Sequence, residues 1–192
     1  MKRIARISLV VLLIPLLSGC GYNRMVELDE GVTSQWAQVE NAYQRRADLI
    51  PNLVNTVKGY ADFEQETLTQ VIEARAKATG ITIDPGNMDA AALQEFQAAQ
   101  DGLSSALSRL MVVVERYPEL KANQNFLDLQ KQLEGTENRI AVERRKFNEA
   151  TQTYNTYIRR FPQLIMAAIF NFDKKEYFEA AEGAETPPTV EF

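Results

Sequence analysis

From Val32 onward large apolar residues recur every three or four positions, at Val32, Trp36, Val39, Tyr43, Ile50, Val54 and Val57, with Arg46 taking the step between Tyr43 and Ile50. That spacing places side chains along one face of an α-helix. A second stretch puts Leu68, Val71, Ile72 and Ala76 on one face, with Asp62 as its candidate start and Glu64 and Glu66 near the positive end of the helix dipole. The third stretch has the cleanest period, through Ala92, Phe96, Ala99, Leu103, Ala106, Leu110, Val113 and Tyr117. The fourth runs Phe126, Leu129, Leu133, Thr136, Ile140, Glu143, Phe147, Ala150, Tyr154, Tyr157 and Phe161. A seam of roughly 36 residues is about 54 Å of helix and needs neighbours along its whole length.

Breakers separate these stretches: Gly59, the run from Thr79 to Asn87 with Gly80, Pro85 and Gly86, and the run from Tyr117 to Asn125 with Pro118. No segment alternates apolar and polar residues between hairpin turns, so the fold class expected is all-α. Short connections favour antiparallel neighbours, and an up-and-down four-helix bundle of long helices is the economical architecture. Pro51 falls inside the first stretch, where a missing N–H and a crowded preceding turn predict a kink, or a helix restart with Pro51 at its first position. After Phe161-Pro162 comes an apolar run from Leu164 to Phe170, then Phe172, Tyr177 and Phe178. Seven residues cannot cross a bilayer, so a short helix or wrap over the bundle end is expected, with a membrane-surface or partner contact as the alternative.

The N-terminus changes the picture. Lys2, Arg3 and Arg6 precede an apolar run from Ile7 to Leu17 and then Leu17-Ser18-Gly19-Cys20, the order of an export signal. Leu-Ser-Gly-Cys resembles the bacterial lipobox, in which the cysteine sulfur receives a diacylglycerol and the new N-terminus is acylated. Cys20 is the only cysteine and cannot form an internal disulfide. The division expected is a lipoprotein signal peptide at 1–19, a helical domain at 20–182, and an acidic, Pro187-Pro188-containing tail at 183–192 whose Val190 and Phe192 could dock. Gly21 stands where a retained lipoprotein would carry Asp, which by resemblance to Gram-negative lipoproteins implies the outer membrane, facing the periplasm, if the source is Gram-negative; in a Gram-positive source the distinction lapses.

Cleavage would remove three basic residues and leave 18 against 26 acids, a formal −8. Such a chain lacks the basic face that nucleic-acid binding requires. With no histidine, Ser-His-Asp and Cys-His catalysis and Glu-x-x-His metal sites are excluded. Glu64 and Glu66 point in different directions on a helix and read, with Glu73, as solvated acids rather than metal ligands. No catalytic residue, metal, cofactor or small-molecule substrate is called for. Arg45, Arg46, Asp48, Glu73, Arg75, Glu143, Arg144 and Arg145 lie on or beside apolar seams. Buried charges are costly unless paired, so a polar network of Arg46, Asp48, Arg75, Glu143 and Arg144 is expected to cross-link the helices, with Arg46 or Arg75 meeting Glu143 or Asp48.

Tyr22-Asn23 with Val26, RRADLIPNLVNTVKGYA from Arg45 to Ala61, EAR at 73–75, NFLDLQKQLEGTENRI from Asn125 to Ile140, RRKFN from Arg144 to Asn148, YNTYIRRFP from Tyr154 to Pro162, and the closing FEA and V-x-F together resemble the LemA family over nearly the whole mature chain. This chain departs from many relatives in having Phe63 in place of a histidine and Asn171 in place of a glycine, and in carrying a lipobox where many keep an uncleaved membrane helix. The resemblance implies a membrane-associated helical bundle of the cell envelope with no established catalytic residues. A non-catalytic scaffold or interaction module for another envelope protein is expected, with Pro51, Asn52, Phe170 and Phe172 as the candidate surface. An accessory or substrate-binding factor in envelope proteolysis or stress response is the alternative, by loose analogy with the gene neighbourhoods of relatives.

Overall fold

In the computed structural model the chain is described over residues 2–60 and 64–178, with side chains from residue 21 on apart from residue 87. The side chains up to and including Cys20, and Asp62, Phe63 and the 183–192 tail, lie outside what the structure describes. The fold is all-helical: α1 (Lys2–Lys58), α2 (Gln65–Gly80), α3 (Ala90–Val114), a short α4 (Pro118–Lys121), α5 (Gln124–Ile158) and α6 (Gln163–Phe170), with a single 3-10 turn at Pro85–Asn87.

Local chemistry sets the boundaries. Asp89 accepts from Ala92 N at the start of α3, and Asn123 accepts from Phe126 N at the start of α5, each satisfying a donor the first helical turn leaves open. Pro118 opens α4, where its missing N–H costs nothing. Asn171 closes α6 in the left-handed conformation, φ 56° and ψ 44°, which disfavours most side chains and which asparagine tolerates next best to glycine. α1 continues through Pro51 as one helix, so the chain does not restart there.

α1 packs chiefly on α5 and α2 on α3, with α1 also touching α2. The core falls into two clusters. One gathers Ile50, Leu53, Val57, Leu68, Val71, Leu103, Leu110, Leu120, Phe126 and Leu133; the other gathers Met25, Val32, Trp36, Val39, Tyr43, Phe96, Ile140, Phe147, Tyr154, Ile158 and Phe178. In the second, the Trp36 ring stacks on Phe178 at 5.8 Å and meets Phe96 and Phe147 edge-on at 5.3 and 5.6 Å.

All the apolar positions expected to face inward on α1 do so. On α2 the expectation needs correction: Leu68 and Val71 are buried, but Ile72 and Ala76 face solvent and Ala78 takes the inner place. The steps 68, 71, 75 and 78 keep one face, whereas 72 and 76 are turned about 100° away from 71 and 75. The buried face of α3 is wider than expected, adding Leu93, Gln100, Leu107 and Val114. α5 ends at Ile158, so Phe161 falls beyond the helix and is 82% exposed instead of closing the seam.

Candidate functional site

Between the two apolar clusters lies a polar layer centred on Arg46, which is 1% exposed. Its Nη1 donates to Ser104 Oγ at 2.7 Å and pairs with the Glu137 carboxylate. Its Nη2 donates to Gln100 O at 3.2 Å and to Gln100 Oε1 at 2.8 Å. The Gln100 amide in turn donates to Ala78 O at 3.1 Å. One guanidinium on α1 thereby reaches α3 and α5 directly and α2 through Gln100. The planar fork, with donors fixed in direction, suits four acceptors better than a lysine ammonium could. It also lies 5.3 Å from the Tyr43 ring centroid, and burial pushes the Tyr43 hydroxyl pKa up, the charges of Arg144 and Arg46 opposing it.

The acid that meets Arg46 is Glu137, not Glu143 or Asp48 as the sequence reading had it. Asp48 faces solvent and accepts from Gln44 Nε2 at 2.7 Å on its own helix. Glu143 sits about 9 Å farther along α5, opposite an earlier turn of α1. There it accepts from Gln35 Nε2 at 2.7 Å and Lys146 Nζ at 3.2 Å and forms an ion pair with Arg139, Nε to carboxylate 2.7 Å. Desolvation raises the Glu143 pKa, but the bonds from Gln35 and Lys146 and the Arg139 charge outweigh it and hold the carboxyl below its usual range.

Arg75 also finds a different partner. Its Nε donates to Ala47 O at 2.8 Å. Ala47 stands four residues before Pro51, whose ring nitrogen cannot supply the helical donor that this carbonyl would otherwise receive. Pro51 and Asn52 themselves face outward. Arg144 places its guanidinium 4.6 Å from the Phe178 ring centroid.

Sequence reasoning missed a second constellation. Asn148 Nδ2 donates to Phe178 O at 3.0 Å while its Oδ1 accepts from Phe178 N at 2.9 Å. One heptad on, Asn155 Nδ2 donates to Lys175 O at 2.8 Å and its Oδ1 accepts from Lys175 N at 2.9 Å. Each amide takes the place of a neighbouring strand for one residue, so the chain after α6 is held antiparallel to α5 with the backbone N–H and C=O of residues 175 and 178 satisfied. Tyr154 adds a bond from its hydroxyl to Asp173 O at 2.9 Å, and Lys175 pairs with Asp29 at 2.8 Å. The available signal was the repeat of asparagine seven positions apart on a long helix.

At the bundle end that carries residue 21, the Tyr22 ring packs edge-on against Phe170 at 4.9 Å and Phe172 at 5.8 Å. Phe172 is half-buried and Phe170 exposed. On the flank, α1 and α5 border an open groove of about 520 Å³ lined by Gln38, Asn41, Arg45, Leu49, Gly135 and Arg139. Its lining holds no acid, and the one hydroxyl there, Thr136 Oγ1, donates to Leu133 O at 2.7 Å on its own helix. Among the described residues no group of three or more acids, cysteines or histidines is placed to hold a metal ion.

The model of the LemA family matches residues 35–192, which includes both the Arg46 layer and the asparagine clamps. The chain belongs to the LemA family. Magnetosome protein MamQ of Magnetospirillum gryphiswaldense is similar, 29% identical over 204 residues covering 97% of this chain and 74% of the relative. Magnetosome protein MamQ 2 of Paramagnetospirillum magneticum is 28% identical over 185 residues, 86% of this chain and 67% of the relative. Protein LemA of Metamycoplasma hominis is 23% identical over 160 residues, 83% and 69% of the two chains. The blocks that carry the LemA resemblance fall on the contacts described above: RRADLIPNLV supplies Arg46 and Pro51, EAR supplies Arg75, GTENRI supplies Glu137, and YNTYIRRFP supplies Tyr154 and Asn155.

Proposed function

We propose that this LemA-family chain is a non-catalytic, lipid-anchored protein of the cell envelope that acts as a scaffold or interaction module for another envelope protein. In this reading residues 1–19 are a cleaved leader, Cys20 is acylated, residues 20–182 form an up-and-down bundle of the four long helices bent at Pro51, and 183–192 are a tail. In a Gram-negative envelope the anchored protein sits on the outer membrane and faces the periplasm. The observation that carries the reading is the packing of Tyr22 on Phe170 and Phe172, two residues after Cys20. An acyl group on Cys20 would join the folded body without an intervening linker. Several acyl chains make such an attachment effectively permanent.

The strongly polar buried groups support a structural rather than a chemical role, since Arg46, Gln100 and Glu143 are all engaged with other helices or their own neighbours. The outward face with Pro51 and Asn52 is the partner surface in this proposal, a rigid stretch of α1 flanked by the α1–α5 groove. That two relatives are named magnetosome proteins is consistent with a part in an assembled structure. The test combines two measurements in intact cells. Mass spectrometry should find Cys20 acylated and a Cys20→Ala variant released from membranes. Photocrosslinkers at Asn52 and Arg45 should capture a discrete envelope protein, whereas capture of nothing but the chain itself from both positions would overturn the scaffold reading.

A further inference from the structure

Large apolar side chains left in solvent are concentrated at one place. Of eight such residues among those described, Phe161, Leu164, Ile165, Ile169 and Phe170 lie in one ten-residue stretch and Tyr22 touches Phe170. The other two, Ile72 and Val112, stand alone on different helices. Isolated apolar residues on a surface need no account, whereas a contiguous set does. α6 buries Ala167 and turns Leu164, Ile165, Ile169 and Phe170 outward, although its segment follows directly on a well-packed α5. At about 12 Å an eight-residue helix cannot cross a hydrocarbon layer of about 30 Å, but it can lie in the boundary between headgroups and acyl chains.

The surrounding charges suit such a position. Arg159 and Arg160 are exposed immediately before Phe161. Arg160 shares with Arg24, Thr156 and Tyr157 a surface cavity of about 480 Å³ beside this end. Arg24 pairs with Glu27 at 2.6 Å, Lys174 lies near Glu176 at 3.7 Å, and Asp173 is an exposed acid in the same region. Arg159 and Arg160 have no ion-pair partner among the described residues and stand where phosphate groups of a bilayer would lie if α6 were at the acyl boundary.

We propose that α6, with Phe161 and Tyr22, inserts into the surface of an anionic phospholipid bilayer and fixes the bundle end-on to the membrane. The proposal rests on the anchored reading only for bringing the chain to lipid. Its occupant is lipid, because the exposed side chains of α6 and Phe161 carry no polar groups, the amphipathic Tyr22 suits the headgroup level, and the flanking arginines match anionic headgroups.

The test uses the full chain as isolated from membranes, reconstituted in phosphatidylcholine–phosphatidylglycerol vesicles. Single cysteines are introduced by Ile165→Cys, Ile169→Cys and, as a distant control, Val112→Cys, and each is nitroxide-labelled. Labels at 165 and 169 should be strongly relaxed by oxygen and weakly by a water-soluble nickel chelate, and the label at 112 the reverse. Labels at all three positions behaving alike while the protein floats with the vesicles would overturn the insertion. So would spin–spin broadening confined to 165 and 169, which would assign the face to a second copy. Uptake of label by the chain without an added cysteine would instead show Cys20 bare, and that outcome counts against the acyl anchor alone. A second measurement uses the Cys20→Ala chain, which should keep a weak affinity for these vesicles. Adding Ile165→Asp should reduce it about tenfold, with an unchanged melting temperature. Equal partitioning of the two chains would overturn the proposal independently.

Discussion

Arg75 donates its Nε–H to Ala47 O at 2.8 Å, the carbonyl that loses its helical donor because residue 51 is proline. A buried acceptor left open costs about 1–3 kcal/mol, so Arg75→Ala should destabilise the fold by that order. In a Pro51→Ala background the restored N–H can reach Ala47 O, and Arg75→Ala should then cost clearly less. Urea melts of the four proteins measure the coupling; equal costs in both backgrounds would show that Arg75 acts independently of the proline.

The Arg46 layer predicts an asymmetry between partners. Arg46 is almost fully enclosed, whereas the Glu137 side chain is 46% exposed and can rehydrate when alone. Glu137→Ala leaves a buried cation without a counter-charge and should cost about 3 kcal/mol, while Arg46→Met exchanges the guanidinium for an apolar group and should cost about 1 kcal/mol. Denaturant midpoints decide the order, and the reverse order would mean that the hydrogen bonds to Gln100 and Ser104 outweigh charge compensation.

Two carboxylates should give opposite pH signatures. Glu143 has a lowered pKa in the folded chain, so the stability contributed by its ionised form is present above the unfolded value of about 4.3 and is lost as pH falls through the folded pKa. Glu143→Gln should therefore melt lower than the parent at neutral pH and approach it in acid. Burial raises the pKa of Glu40; the nearby Trp36 indole N–H only partly offsets this and makes no hydrogen bond of normal geometry. The charged form of Glu40 is thus a penalty above its folded pKa. Glu40→Gln should melt higher at neutral pH, with the gain vanishing as pH falls toward the unfolded value. Melting temperatures between pH 7 and acid, measured on both variants, read the two signs.

The asparagine clamps predict local rather than global loosening. Asn148→Ala removes both bonds to residue 178 and should accelerate hydrogen exchange at the Phe178 amide, leaving Lys175 less affected; Asn155→Ala should do the converse. Unchanged exchange at both amides would mean that the aromatic contacts of Phe178 hold the segment unaided.

Helical periodicity made most of the architecture legible, because burial on α1 and α5 follows a three-four step that only a helix produces. Ile72 escaped that logic, since an apolar residue beside a seam looks the same in sequence whether it faces in or out. That Arg46 would be buried could be read from its place in the stripe, but not that Glu137 would receive it. The partner depends on how far α1 and α5 slide past one another, a quantity no single helix encodes. Asn148 and Asn155 were hidden for a similar reason: the partners they clamp are chiefly backbone atoms of residues 175 and 178, and backbone atoms leave no side-chain signature.

α1 and α5, the first and last of the long helices, rest against each other. A chain growing from its N-terminus has the whole inner stripe of α1 ready long before the surface that receives it exists, and contacts so remote in sequence close slowly. During synthesis that stripe must be shielded by something else, and a chain cut short within α5 would leave its oldest helix as its greatest aggregation hazard.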